Sequence, residues 1–134
     1  MKIAARIKSK LQQLEAVVET DNEAKTITID PKPTGYGAAI KGGELLMLSL
    51  ATCYCNSLFM ESAKSNLSIT EVEVIFTGEF GEEGGSNFEY TVNVTSTAPE
   101  KDIEALILLT DKTTSVQNIV RSGIAIALNR QTTL

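Results

Sequence analysis

The feature that most constrains this fold is the mostly apolar run Glu44–Ala63. On a helix its apolar side chains leave almost no polar face, which predicts a helix that is buried on most sides. Scattered serine, threonine, asparagine and glutamate residues interrupt the run, so a core helix is favoured over a membrane span. We expect this helix to begin just after Gly42-Gly43, with Glu44 in its first turn, and to end near Asn66 in a left-handed cap.

Alternation of apolar and polar residues predicts strands ahead of this helix. Three are expected, around Ile3–Ile7, Leu14–Val18 and Thr26–Ile29, and the first should be half-buried. The segment Pro31–Gly37 then predicts a loop, because proline cannot donate a hydrogen bond to a strand ladder and glycine disfavours regular structure.

The chain after the long helix predicts a hairpin, a helical region and a last strand. The hairpin strands are expected at Glu71–Phe76 and Phe88–Val94, around an exposed loop at Gly81–Gly85. The spacing of a capping box in Thr97–Glu100 predicts the start of the helical region. We expect the final strand at Ile124–Leu128, where apolar residues recur.

The helical region is expected to break near Thr113-Thr114, between two apolar stretches. The sequence shows no internal repeat and no linker, and its 134 residues are a typical length for one domain. We therefore predict a single domain over residues 1–134.

Composition excludes several classes of function. The net charge is −5, from 12 Lys+Arg against 17 Asp+Glu, and no basic patch stands out, so nucleic-acid binding is not expected. The segment Met1–Lys8 carries charges where a signal peptide needs an apolar core. Two cysteines this close in sequence do not form an extracellular disulfide framework. We expect a cytoplasmic protein with no membrane partner.

The chain has no histidine, and Cys53 and Cys55 are its two cysteines. The usual general base and the usual metal ligand are therefore missing, and the distinctive chemistry left is that of a thiol. A Cys-x-Cys metal site is not expected, because no histidine or further cysteine could complete tetrahedral ligation. We predict no metal and no cofactor.

Cys53 and Cys55 should point to opposite sides of the helix, since residues two apart are separated by roughly 200°. An intrahelical disulfide would need Cβ atoms about 3.8 Å apart and hence local unwinding. We therefore interpret Cys55 as a packing residue that shares its face with Leu48 and Phe59. Cys53 has two possible roles: it is either a reactive thiol or, like Cys55, a small residue buried in the core.

This order of elements resembles the OsmC/Ohr family of thiol-dependent hydroperoxide reductases and their relatives. The resemblance rests on Glu44-Leu45-Leu46, on Ala51-Thr52-Cys53-Tyr54 in the long helix, and on Ser115-Val116 in the later helical region. It implies an α+β fold with antiparallel sheets and a long buried central helix. It also implies an intertwined homodimer, with the reactive cysteine near the subunit boundary.

The chain departs from the family's peroxidatic pattern at three places. That pattern has a glutamate ten positions before the reactive cysteine, where this chain has Gly43, and Glu44 stands one position later. Thr114 stands where the pattern has a second, resolving cysteine. The family's activating arginine has no clear counterpart, since Arg6 lies inside the predicted first strand.

These departures predict a slow thiol. A thiol with a pKa of about 8.5 is only a few per cent thiolate at neutral pH. Cys53 lies about 13 Å beyond Glu44 along a helix that rises about 1.5 Å per residue, too far for the dipole of that helix to act. Burial by itself raises a thiol pKa. Unless the fold supplies an arginine, Cys53 should therefore react slowly.

Two hypotheses for function follow. The first is a thiol redox protein in oxidative-stress defence, in which Cys53 and Glu44 are the catalytic residues and an external thiol is the reductant. Its substrate would be a small hydrophobic molecule or peroxide. The second is a non-catalytic homodimer that binds a small hydrophobic ligand in an apolar dimer pocket.

Overall fold

A computed structural model describes residues 1–129, and the chain falls into two compact units, Met1–Leu45 and Leu46–Leu134. Each unit is described by itself. Antiparallel strands and helices make up the fold, so the α+β class predicted from the sequence is confirmed. One domain over residues 1–134 stays a prediction.

The first unit contains a three-stranded antiparallel sheet of β1 (Ile3–Lys10), β2 (Gln13–Thr20) and β3 (Glu23–Ile27), in that order. Asp21 and Asn22 form the turn between β2 and β3 with positive φ angles of 48° and 72°. These two residue types tolerate that conformation better than most.

The prediction that the first strand is half-buried is wrong for this unit, because all 8 residues of β1 are exposed. Three short strands carry no second layer of their own that could cover the alternating apolar side chains. The third strand also ends at Ile27, before the predicted Ile29. The predicted loop over Pro31–Gly37 is present and is closed by a bridge between Pro31 and Ala38.

The helix α1 spans Gly42–Lys64 and is followed by Asn66 in the left-handed conformation (φ 54°), as predicted. Its buried residues are four apart and form one stripe, made of Leu50, Tyr54, Leu58 and Ser62. Leu48 remains 59% exposed. The prediction of a helix buried on most sides is therefore wrong for the single chain, which covers one face only.

The second unit continues with a long hairpin of β4 (Ile69–Gly81) and β5 (Gly84–Ser96), which confirms the two predicted strands. The loop between them is shorter than the predicted Gly81–Gly85, because only Glu82 and Glu83 form the turn. The core of this unit is formed by Tyr54, Leu58 and Leu106, with half-buried side chains from both strands packed against it. These strand residues alternate along each strand, as expected for a sheet with one covered face: Val72, Val74, Phe76, Tyr90, Val92 and Val94.

Two helices follow the hairpin, α2 (Glu100–Thr113) and α3 (Ser115–Ser122), and they confirm the predicted break at Thr114. The predicted capping box is wrong. The N-cap is Pro99, and no side chain caps the helix. The carbonyl of Pro99 accepts hydrogen bonds from the first turn, so α2 begins after the proline and not at Thr97.

The predicted strand at Ile124–Leu128 is also wrong. This segment forms no strand, and Ile126 is 97% exposed. A strand is stable only when its backbone groups pair with a neighbour, and within residues 1–129 the second sheet consists of β4 and β5 paired with each other. The run of apolar residues is real, but no strand of the described part of the chain lies beside it.

Candidate active site

The thiol of Cys53 lies beside the junction between α2 and α3. Its Sγ atom is 3.4 Å from the Oγ1 atom of Thr114 and 3.7 Å from the Oγ atom of Ser115. The side chain of Cys53 is half-buried, so it keeps some access to solvent, which a reactive thiol needs. The junction therefore presents two hydroxyl groups to one sulfur.

Thr114 is wholly buried and belongs to both helices, as the C-cap of α2 and the N-cap of α3. Its backbone N–H donates to the carbonyl of Thr110 at 3.0 Å. Its hydroxyl makes no capping bond to α3, although threonine often does so at this position. The hydroxyl is instead in contact with Cys53.

The hydroxyl of Ser57, one helical turn after Cys53 on α1, donates to the Oγ1 atom of Thr114 at 3.4 Å. In this bond the Oγ1 atom of Thr114 is the acceptor, so the hydroxyl hydrogen of Thr114 can still be donated to another group. The sulfur of Cys53 is in position to accept it. A chain of hydrogen bonds from Ser57 through Thr114 to Cys53 thus favours the negatively charged sulfur.

The pKa of Cys53 lies below that of an ordinary thiol. Burial alone raises the pKa, but the neighbouring polar groups of Thr114, Val116 (its backbone N–H), Ser115 and Ser57 together outweigh that effect. Val116 is in the first turn of α3, where backbone N–H groups have no partner inside the helix. The N-terminus of α3 is therefore directed at the sulfur and stabilises a thiolate.

This result corrects the expected effect of burial on the thiol. The sequence argument considered only the N-terminus of α1, which lies far from Cys53 along the same helix, and an arginine that it could not place. The stabilising groups are uncharged and come from the start of a different helix. The sequence did contain a sign of these groups, because Thr114 and Ser115 place two hydroxyl groups at the start of a helix. No local sequence pattern indicated that they would lie beside Cys53.

Glu44 has a clear structural contact. Its carboxylate accepts a hydrogen bond from the backbone N–H of Lys41 at 2.9 Å, next to the first turn of α1. The polar contacts found for Cys53, farther along the helix, come from Ser57 and from the start of α3. The catalytic role of Glu44 therefore stays a prediction. Cys55 is half-buried, and neither cysteine forms a disulfide.

Asp111 fixes α3 against the rest of the second unit. Its Oδ1 atom accepts hydrogen bonds from the hydroxyl of Tyr90, from Nε2 of Gln117 at 2.9 Å, and from Nη2 of Arg121 at 2.9 Å. The bond from Tyr90 is the main cause that lowers the pKa of Asp111, and Arg121 adds to it. These bonds join α2, α3 and β5, and so they position the N-terminus of α3 beside Cys53.

Within residues 1–129, no group of three or more cysteine and acidic side chains comes together in a way that could hold a metal ion. Over the same residues, no helix combines the length and the apolar character needed to cross a membrane.

Comparison with protein-family models shows which family this chain belongs to. The family model described as OsmC-like protein matches residues 35–129, which include α1, the hairpin and both later helices. The chain belongs to the OsmC-like family. The matched residues contain Cys53 together with all the groups found around its sulfur. No match was found among curated protein sequences.

Solved structures of OsmC-like proteins share this fold. An OsmC-like protein from Mycoplasma pneumoniae is 18% identical, with a TM-score of 0.58 over 90% of this chain and 89% of that chain. An organic hydroperoxide resistance protein OsmC from Legionella pneumophila is 14% identical, with a TM-score of 0.57 over 90% of each chain. An OsmC-like hydroperoxide resistance protein from Jannaschia sp. CCS1 is 15% identical, with a TM-score of 0.52 over 98% of this chain and 91% of that chain.

Proposed function

We propose that this OsmC-like protein is a thiol redox protein that reduces organic hydroperoxides through Cys53. The observation that carries the proposal is the half-buried sulfur at the N-terminus of α3, where hydrogen bonds lower the pKa of the thiol. A lowered pKa raises the thiolate fraction at neutral pH, and the thiolate is the nucleophile. The hydroperoxide resistance proteins that share the fold support the same substrate class.

The proposed reaction has two stages. The Cys53 thiolate attacks the outer oxygen of the hydroperoxide, the O–O bond breaks, and the alkoxide leaves and takes a proton to become the alcohol. The sulfur is oxidised to a sulfenic acid. One external thiol then condenses with the sulfenic acid and releases water, and a second external thiol displaces the mixed disulfide and restores Cys53.

Each residue around Cys53 has its own role in the proposed reaction. Thr114 and Ser115 hold the thiolate, and Ser57 orients the hydroxyl of Thr114. The neighbours that lower the pKa of Cys53 are all uncharged, so the charge assistance of an arginine is missing from this set. Turnover should therefore be slower than in a site where a positive charge also stabilises the thiolate.

The test is consumption of cumene hydroperoxide with dithiothreitol as the reductant. Wild-type protein and the matched Cys55→Ser variant should both consume the peroxide, and the Cys53→Ser variant should not. Glu44→Gln in the same assay tests the predicted role of that carboxylate. Consumption that survives in Cys53→Ser would contradict the proposal, and no consumption by wild type would favour the non-catalytic hypothesis.

A further inference from the structure

The helix α3, whose first turn lies at the sulfur of Cys53, has little apolar packing of its own. In the part of the chain that the structure describes, Gln117 is the one buried residue of the 8 in α3, and it is polar. The apolar side chains of Ile119 and Val120 remain 51% and 39% exposed. A helix this short is not stable by itself in water. The position of α3 therefore depends mainly on polar contacts.

Three side-chain hydrogen bonds from α3 reach one residue, Asp111, in the last turn of α2. The Oδ1 atom of Asp111 accepts from Nε2 of Gln117 and from Nη2 of Arg121, each at 2.9 Å. The backbone carbonyl of Asp111 accepts from Nη1 of Arg121 at 3.0 Å. The hydroxyl of Tyr90 donates to the same Oδ1 atom. One carboxylate oxygen thus joins α3 to the hairpin strand β5.

Asp111 can act on the thiol of Cys53 in two ways that have opposite signs. A negative charge nearby raises the pKa of a thiol, because it disfavours the thiolate. A carboxylate that holds α3 in place lowers that pKa, because it keeps the polar groups at the start of α3 beside the sulfur. Among the described residues, the groups that shift the pKa of Cys53 are uncharged, and Asp111 is not one of them. The second effect is therefore favoured.

We propose that Asp111 is a positioning residue for Cys53, which acts on the sulfur by holding the first turn of α3 against it. The link is short, because Thr114 follows Asp111 by three residues and caps both helices. The bonds from Tyr90, Gln117 and Arg121 all go to Oδ1, so an uncharged oxygen at the same place can keep them. The proposal deepens the function proposed above and rests on its assignment of Cys53 as the reacting thiol.

The test is the pH profile of alkylation by iodoacetamide, measured on the full chain. Asp111→Ala should move the profile to higher pH and slow alkylation at neutral pH about three- to tenfold. Asp111→Asn keeps an oxygen acceptor in place of Oδ1 and should stay closer to the wild type. Asp102→Ala is the matched control, since it removes an exposed carboxylate from the first turn of the same helix and should leave the profile unchanged. At high pH, where the thiol is fully ionised, Asp111→Ala should react at least as fast as the wild type.

Three results would overturn the proposal. Faster alkylation at neutral pH in both Asp111 variants would mean that the carboxylate acts through its charge. An unchanged profile in Asp111→Ala would mean that α3 keeps its place without this residue. A lower rate at every pH would mean that the variant changes access to the sulfur and not the thiolate.

Circular dichroism shows whether each variant is folded. If Asp111→Ala unfolds, Tyr90→Phe replaces it, because this change removes one donor to Oδ1 and keeps the charge of the carboxylate. Its alkylation profile should also move to higher pH, and a profile that does not move would overturn the proposal.

Consumption of cumene hydroperoxide by the same variants separates this proposal from the proposed function. If the wild type consumes no peroxide while Asp111→Ala still shifts the alkylation profile, the peroxide function fails and the positioning role stands. If the wild type consumes peroxide and the profile does not shift, the positioning role alone fails.

Discussion

The Oγ1 atom of Thr114 lies 3.4 Å from the sulfur of Cys53, across a separation of 61 residues in the chain. In the family's peroxidatic pattern a second cysteine would occupy the position of Thr114. The contact means that this position faces the sulfur of Cys53 in the present chain. A hydroxyl there can stabilise a thiolate by donating a hydrogen bond, but it cannot form a disulfide.

The first prediction concerns the thiolate. Thr114→Val removes the hydroxyl and keeps the side-chain shape, so the pKa of Cys53 should rise. A hydrogen bond to a charged group contributes about 1.5–3 kcal/mol, so the thiolate fraction at neutral pH should fall by about tenfold or more. Alkylation by iodoacetamide should slow by less, about three- to tenfold, because a thiolate of higher pKa is also the better nucleophile. The pH profile of alkylation should shift upward. Thr113→Val is the matched control, because Thr113 is exposed and its hydroxyl donates to the carbonyl of Leu109.

An unchanged alkylation rate in Thr114→Val would mean that the contact at 3.4 Å does not hold the thiolate. The other donors, Ser115 and the backbone N–H of Val116, would then carry the whole effect. Ser115→Ala would distinguish these two donors, since it leaves the backbone group in place.

The second prediction concerns the products of oxidation. With Thr114 in place of a resolving cysteine, Cys53 treated with excess cumene hydroperoxide should add one oxygen and then more, up to the sulfinic and sulfonic acids. Intact-mass spectrometry should show these additions in the wild type and equally in Cys55→Ser. A clean loss of two hydrogens without added oxygen would mean that Cys53 and Cys55 do pair, against the helical geometry.

The third prediction concerns a variant in which an intramolecular disulfide should form in place of over-oxidation. Thr114→Cys should place a second thiol against Cys53, and mild oxidation should then form an intramolecular disulfide. The hydroxyl–sulfur contact at 3.4 Å is close enough that only small side-chain movements are needed for the geometry of a disulfide. Mass spectrometry should show the loss of two hydrogens and less over-oxidation. The exposed neighbour provides the control, because Thr113→Cys should give no such protection.

Local signals in the sequence were sufficient for most of the second unit. The hairpin alternates apolar and polar residues over both strands, and the break at Thr114 separates two apolar stretches. These patterns depend on neighbours a few residues apart. The contact between Thr114 and Cys53 depends on how α2 and α3 pack against α1, and no local pattern records that packing.

Burial was harder to predict than secondary structure. The alternation in β1 and the apolar run Ile124–Leu128 show which side chains would be stabilised by burial, but they do not show what would cover them. In the single chain both segments are exposed. The same holds for α1, whose apolar residues extend around the helix while its buried stripe follows only every fourth residue, from Leu50 to Ser62.

The fourth prediction concerns alkaline pH. Burial raises the pKa of Tyr54 above its ordinary value of 10.0, and the nearby Tyr90 and Asp111 raise it further. Burial and the bond to Asp111 also raise the pKa of Tyr90. A group whose pKa is raised by folding stabilises the fold below its unfolded pKa, and that stability is lost as the pH rises.

The free energy of unfolding should therefore fall above about pH 10, by at most about 1.4 kcal/mol per pH unit for each tyrosine. Tyr54→Phe should reduce this slope, measured by urea denaturation at several pH values. At neutral pH the same variant should cost about 1 kcal/mol, because the carbonyl of Ile107 loses its donor. Tyr36→Phe, at a side chain that is 64% exposed, is the control. An identical slope in Tyr54→Phe would show that this phenol is not responsible.

The last prediction concerns assembly. Leu48, Phe59 and Met60 on α1 are 59%, 41% and 57% exposed in the single chain, and an apolar surface of this kind favours association. We predict a homodimer whose interface includes α1.

Light scattering at micromolar concentration should give twice the chain mass for the wild type. Leu48→Glu should shift the protein toward monomer, because a carboxylate would be buried without a partner. Lys101→Glu, on the exposed first turn of α2, should leave the dimer intact. A stable wild-type monomer would contradict the prediction and would leave this face of α1 exposed to solvent.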